Sequence, residues 1–475
     1  MPKEKFYITT PIYYVNDRMH LGHAYTTVAA DVLARYHRLK GEKVFFLTGT
    51  DEHGGKIEET AKELKKSPQQ LCDENSQNFK EGWEKLNISY DNFIRTTDAS
   101  HKKAVTKAIE ILHKKGLIYK GIYKGLYCLG CEQYKTKSDL VAGKCPEHKT
   151  VPEVMEEESY LFKLFEFEKE LKKKIKDDEL KIRPQERKRE VLEFLKRGLR
   201  TISVSREKVK WGIPLPFDKK LTAYVWIDAL LNYLTGIGWD GDPEKLPEFW
   251  PPNVQLMAKD IIRVHATIWP AILLGLGISL PKQLFVHGYF TIEGQKMSKS
   301  LGNVIWPEQL IEKFGADATR YLLLSLCPFG RDGDISWKKL EEKYNADLAK
   351  GLGNLVSRVI SLSDKLGVQQ AAVPNNVGMA FGDSSSAKKR YQKALGNFQF
   401  NEALIAIWEI IGNFDRYIER EKPWEGGKRA KQVIVNSLYG LKEIAVLLKP
   451  FLPQTSEKIL KQIETRKSEP LFSRL

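Results

Sequence analysis

The sequence predicts an α/β protein: a doubly wound parallel sheet, interrupted by an insertion with a metal knuckle and followed by an α-helical bundle. Three observations lead there. Strand-like and helix-like segments alternate near the start and again after the middle, as in β-α-β units. Between them lies a polar stretch with closely spaced cysteines and a histidine. From about Ala346 onward strand signals fade and helical periodicity takes over.

The run Phe6 to Pro11 reads as a strand ended by proline. From Thr26 to Leu39 the apolar residues Val28, Val32, Leu33, Tyr36 and Leu39 recur at helical spacing, and Gly41 stops that helix. Lys43 to Thr48 is then a buried strand. The rhythm returns with Gln255 to Ala258, a helix around Ile262 to Leu276, and a strand from Leu284 to Gly288. These are the two halves of one Rossmann-type sheet, separated by an insertion from about residue 116 to 215. Beyond them Leu404, Ile407, Trp408, Ile411 and Phe414 mark a helix face, and Gly367 to Ala387 reads as a long loop.

A chain of 475 residues has room for roughly three domains. No apolar run approaches the ~20 residues that span a bilayer, and the first residues lack the apolar core of a signal peptide. A soluble, cytoplasmic protein without a membrane partner is expected. The net charge is +15, with +7 in residues 163–210 and +8 in residues 350–475, so the excess forms two basic blocks. A polyanionic partner is one explanation and solvated helix faces are the other.

Cys128-Leu-Gly-Cys131 followed by Cys145-Pro-Glu-His148 gives paired ligands that can turn onto one ion. A Cys₃His set is a closed tetrahedral site, so one structural Zn²⁺ is expected. His20-Leu21-Gly22-His23 lies between a strand and a helix, where doubly wound sheets bind nucleotides; Gly22 permits close backbone approach and the imidazoles can donate to phosphate. Lys296-Met297-Ser298-Lys299-Ser300, between Gly294 and Gly302, puts two lysines and two hydroxyls on a loop suited to a leaving pyrophosphate. No G-x-x-x-x-G-K-[ST] run is present.

The pairing of H-L-G-H with K-M-S-K-S resembles the class I aminoacyl-tRNA synthetases. Thr10 to Tyr14, Thr48 to Gly54 and Tyr224 to Ala229 narrow the resemblance to the methionyl-tRNA synthetase family, over essentially the whole chain. It implies ATP-dependent ligation of L-methionine to tRNA(Met), initiator tRNA included, through a methionyl adenylate. His20, Gly22, His23, Lys296, Ser298 and Lys299 would hold ATP, with the two histidines and two lysines catalytic and Mg²⁺ accompanying the phosphates. The amino-acid pocket would take Pro11, Ile12, Tyr14, Trp226, Ala229, Leu230, Tyr233, Ile261 and His265 as walls, with Asp51 on the substrate ammonium. Spacing alone reads Trp226 and Tyr233 as core, and Leu230 stands where some relatives have proline. Asn354, Arg358 and Trp424 would read the anticodon, Trp424 at the start of a helix.

The implied domains are 1–115 and 216–290 for the catalytic sheet, 116–215 for the connective insertion, 291–350 for the KMSKS loop and stem contact, and 351–475 for anticodon binding. The chain ends near the end of the family's shared core, so a monomer is expected, with a separate tRNA-binding subunit as an alternative. Another class I synthetase, such as the cysteinyl one, and a non-catalytic zinc-knuckle RNA-binding protein are the competing readings.

Overall fold

The computed structural model describes residues 3–130, 133–135, 137–146, 148–297, 304–368 and 384–475. The chain divides into two compact units: Met1–Met19, Gly41–Glu81 and Ser89–Val286 form the first, and His20–Lys40, Gly82–Ile88 and His287–Leu475 the second.

Among the described residues, six strands form the main sheet: β1 (Lys5–Tyr14), β2 (Lys43–Asp51), β3 (Asn92–Arg95), β4 (Lys181–Arg183), β5 (Val254–Ala258) and β6 (Gln283–His287), in the order β3-β2-β1-β5-β6-β4. β1 runs parallel to both β2 and β5, β2 to β3, and β6 to β4. The sheet therefore winds outward from β1 in both directions, as expected. Tyr14, Asp51 and Ala258 end neighbouring strands at the carboxyl edge, where such sheets bind ligands.

Two local expectations need correction. β1 does not stop at Pro11 but runs to Tyr14. Its register against β2 shifts between Thr9 and Ile12, an irregularity that accommodates a residue with no N–H to offer. The helix read from Ile262 to Leu276 is two helices, Ile262–Ala266 and Ile268–Leu276. Pro270 cannot donate to the Ala266 carbonyl four residues back, and the break falls at Thr267, within that reach.

The insertion carries a four-stranded sheet ordered Gln133–Lys135, Ile118–Cys128, Glu153–Phe162, Ile202–Ser203, its pairings antiparallel. It is not wholly separate from the main sheet, because β4 lies within its span and forms an edge strand there. The first unit's core is aromatic around Trp269, whose ring centroid is 5.6 Å from Tyr233 and 6.0 Å from Trp250. Each such buried side chain contributes about 1.5–3 kcal/mol or more relative to exposure.

The second unit contains the helix Leu21–Leu39 and, further on, a run of helices that includes Ala316–Ser325, Asn354–Lys365, Phe400–Glu421, Lys428–Leu448 and Pro453–Thr465. Leu404, Ile407, Ile411 and Phe414 are buried on Phe400–Glu421, as their spacing predicts. A π-helix from Tyr344 to Gly353 leads into Asn354–Lys365. Of the expected loop, 369–383 lie outside the described residues, and Ser384 onward is already helix. Among the described residues no helix is long and apolar enough to cross a membrane.

Candidate active site

The residues expected to line an amino-acid pocket all belong to the first unit, several of them at the carboxyl edge of its sheet. Pro11, Ile12 and Tyr14 lie on the last residues of β1, and Tyr14 is in register with Asp51 on β2. Trp226, Ala229 and Leu230 follow on the helix Val225–Leu230, and Tyr233 on the turn of helix after it. Ile261 caps the helix that carries His265. The Tyr233 hydroxyl and His265 Nε2 are 2.8 Å apart, and His265 Nδ1 is 3.0 Å from the Ile261 carbonyl. Trp226 meets the His265 ring edge-on, with centroids 6.4 Å apart. The structure thus joins Trp226, Tyr233, Ile261 and His265, and separately Tyr14 with Asp51. Leu230 is almost fully buried in the core.

Burial pushes the His265 imidazole down to about 4, so it is neutral at physiological pH. A neutral ring bonded to a carbonyl through Nδ1 carries its proton there, which leaves Nε2 to accept from Tyr233. Burial, with Tyr13 nearby, lifts the Tyr233 phenol well above its ordinary range, so it stays a donor. The Tyr233 hydroxyl, the His265 ring and the Ile261 carbonyl thus satisfy one another. What remains suits an apolar, polarizable side chain.

The histidine pair stands in the second unit at the start of Leu21–Leu39. His20 is its N-cap: His20 Nδ1 accepts from the Gly22 N–H at 3.1 Å, and His23 Nδ1 accepts from the His20 N–H at 3.3 Å. The rings stack with centroids 3.4 Å apart. Burial, then the neighbouring His20, lowers the His23 imidazole well below its usual value. With both Nδ1 atoms accepting, the neutral rings carry their protons on Nε2, donors at a helix N-terminus whose dipole favours anions. The first turn contains no acidic residue. Of the lysine loop, Lys296 ends a short strand beside Phe290–Ile292, while Ser298 and Lys299 lie outside the described residues.

Three of the four expected metal ligands converge. The ligand atoms of Cys128, Cys145 and His148 lie within 4.8 Å of one another, and Cys131 is outside the described residues. Both cysteines are buried and the histidine is exposed. Two thiols and an imidazole at that separation fit a tetrahedral Zn²⁺ site. Among the anticodon candidates, Asn354 is exposed and Arg358 lies on the same helix, ion-paired with Asp415 and Glu419. Trp424 is exposed on a 3₁₀ turn, Pro423–Glu425, rather than at the start of an α-helix; the helix proper begins at Lys428.

Residues 6–151 and 148–360 match the family model described as tRNA synthetases class I (M), and 382–473 match the anticodon-binding domain of tRNA ligase. The chain is 43% identical to a methionine–tRNA ligase of Caldanaerobacter subterraneus subsp. tengcongensis, over 97% of this chain and 74% of that one. It is 40% identical to that of Thermotoga maritima, over 97% and 75%. The chain belongs to the methionyl-tRNA synthetases of class I. A solved Mycobacterium tuberculosis methionyl-tRNA synthetase in complex with methionyl-adenylate superposes with a TM-score of 0.90 at 35% identity, covering 98% of this chain and 97% of that one.

For a methionyl-tRNA synthetase, sequence reasoning left three buried residues unassigned. His53 Nδ1 is 2.6 Å from one oxygen of Asp228, and His101 Nε2 is 2.7 Å from the other. Burial works against the Asp228 charge, yet His53 and His101 hold its carboxyl down at about 2. His53 and Asp228 stand inside the segments that carry the family resemblance; His101 has no such signal.

Proposed function

We propose that this chain activates L-methionine with ATP and transfers it to tRNA(Met), initiator tRNA included. The observation that carries the reading is the neutral Tyr233–His265 pair in an apolar wall at the carboxyl edge of the sheet. Tyr233 and His265, bonded to each other, place no polar demand on the substrate side chain, which suits a thioether. Asp51 would hold the ammonium, leaving the carboxylate to attack the α-phosphorus of ATP. That step forms an oxygen–phosphorus bond and releases pyrophosphate. The Nε2–H donors of His20 and His23, with Lys296 and Lys299, would stabilise the phosphate charge. In the second step the 2′-hydroxyl of the terminal adenosine attacks the adenylate carbonyl and AMP leaves. The named methionine–tRNA ligases at 40–43% identity support the reading.

On this reading residues 1–115 and 216–290 supply the catalytic sheet, 116–215 the connective insertion, 291–350 the lysine loop and stem contact, and 351–475 the anticodon part. Cys128, Cys131, Cys145 and His148 would hold one structural Zn²⁺, which orders the polar loop between them. Mg²⁺ would accompany ATP and neutralise its phosphates. The chain would act in the cytoplasm as a monomer. Methionine-dependent ATP–pyrophosphate exchange, followed by charging of purified tRNA, tests the proposal. Exchange with cysteine and none with methionine would overturn it.

A further inference from the structure

We propose that Asp228 is a positioning residue of the amino-acid pocket: bridging His53 and His101, it fixes the end of β2, which carries Asp51, relative to the helix carrying Trp226. The inference rests on the reading of that pocket as the methionine site. Asp228 lies on Val225–Leu230, two residues after Trp226 and one before Ala229, while His53 follows Asp51 by two. One carboxylate oxygen meets each imidazole, at 2.6 and 2.7 Å, and the far nitrogen of His101 is 2.7 Å from the Thr235 hydroxyl. His53, His101 and Asp228 are all essentially inaccessible to solvent. A helix holding one wall, a second helix, and the turn that directly follows Asp51 thus meet at one carboxylate.

The neighbouring residue is fixed as firmly. Glu52 is fully buried and receives Arg95 through both oxygens, at 2.7 and 2.9 Å, and the Thr50 hydroxyl at 2.6 Å. The Trp211 indole donates to its carbonyl. Asp51 therefore ends a strand whose exit is anchored at Glu52 and His53. Stability alone does not explain the arrangement, because apolar side chains of similar volume commonly replace buried ionic clusters at no cost. Apolar packing lacks direction. A carboxylate with each oxygen committed to a different imidazole sets angle and distance together, as supporting shells do around reacting groups.

The test is Asp228→Asn, whose amide can accept from only one of the two imidazoles. We expect KM for L-methionine in pyrophosphate exchange to rise about tenfold or more, with KM for ATP within about twofold. Binding of L-methioninol, which keeps the ammonium, should weaken as methionine does. Binding of 4-(methylthio)butanoate, which lacks it, should change less than about twofold. Asp51→Asn added to Asp228→Asn should cost little more, because both remove one interaction. Equal losses for the two analogues, or fully additive effects, would mean a merely structural role and overturn the proposal. If Asp228→Asn does not fold, His101→Gln, which retains an N–H donor, is compared with His101→Leu: rescue by glutamine supports the proposal and identical behaviour overturns it. Absence of methionine-dependent exchange in the unaltered chain would instead overturn the functional reading beneath it.

Discussion

Arg320 and Asp31, both wholly buried in the second unit, form an ion pair with nitrogen and oxygen 2.7 Å apart. The remaining Arg320 donors reach the carbonyls of Phe451, Pro450 and Leu86. Asp31 lies on the helix that His20 caps, so one guanidinium ties that helix to the turn after Lys428–Leu448. Removing one partner leaves a charge stranded away from water, at a cost of about 3–5 kcal/mol. Asp31→Asn should therefore lower the free energy of unfolding, read from urea denaturation, by that much. A change below about 1 kcal/mol would show that the pair is not what closes this unit.

Gly22 is required by the histidine pair itself. A Cβ there would lie 3.0 Å from His20 Cε1 and 3.2 Å from its Nδ1, inside the cap hydrogen bond. Gly22→Ala should displace the His20 ring and slow pyrophosphate exchange by up to about a hundredfold. Stability should fall by only about 1 kcal/mol, the usual worth of a cap. Loss of stability without loss of exchange would remove His20 from the phosphate site.

His265 and His287 are both held at about 4 by burial. An unfolded histidine titrates near 6.5. Between those values the unfolded chain binds protons that the folded chain refuses, so stability is complete above about pH 6.5 and is lost as pH falls towards 4. The gap amounts to about 3 kcal/mol for each histidine at its acid end. Urea midpoints measured across this range should fall steeply, and less so in His265→Asn and His287→Asn. Because protonated His265 can no longer accept from Tyr233, KM for methionine should rise only as pH approaches about 4, where the folded imidazole titrates. A flat profile would count against both.

The parallel sheet was legible because its strands stand out as short, largely apolar runs and its helices by a period of 3.6 over several residues. β4 was not: three residues, Lys181 to Arg183, sit among charged helices and become a strand only by pairing with β6. Spacing reads Trp226 and Tyr233 as core, and Tyr233 is buried there; its hydrogen bond to His265, 32 positions on, lies beyond any local pattern. The Asp228 cluster joins residues 175 and 127 positions apart, a distance over which no local pattern operates. The convergence of Cys128, Cys145 and His148 was legible because knuckle ligands are close in sequence.

That knuckle also depends on a glycine. A Cβ on Gly130 would lie 2.5 Å from the His148 ring. Gly130→Ala should push the imidazole off the ligand position and lower metal content, read by mass spectrometry, well below one ion per chain. Cys145→Ser should do the same, and a chelator should lower the melting temperature of the unaltered chain only. Full metal content in Gly130→Ala would mean that His148 is not a ligand.

Arg358 presents a different balance, since its two carboxylate partners, Asp415 and Glu419, are more than half exposed. Pairs of that kind are worth about 0–1 kcal/mol, so Arg358→Gln should leave stability nearly unchanged. The block from residue 350 to 475 nevertheless carries a net +8. If Arg358 leaves its carboxylates for tRNA, Arg358→Gln should weaken tRNA binding, and if a phosphate is its target the slope of log affinity against log salt should become shallower by about 1. Weaker binding with an unchanged slope would indicate a base contact. Unchanged affinity and slope would mean that Arg358 serves only Asp415 and Glu419, and the anticodon role would pass to Asn354 and Trp424.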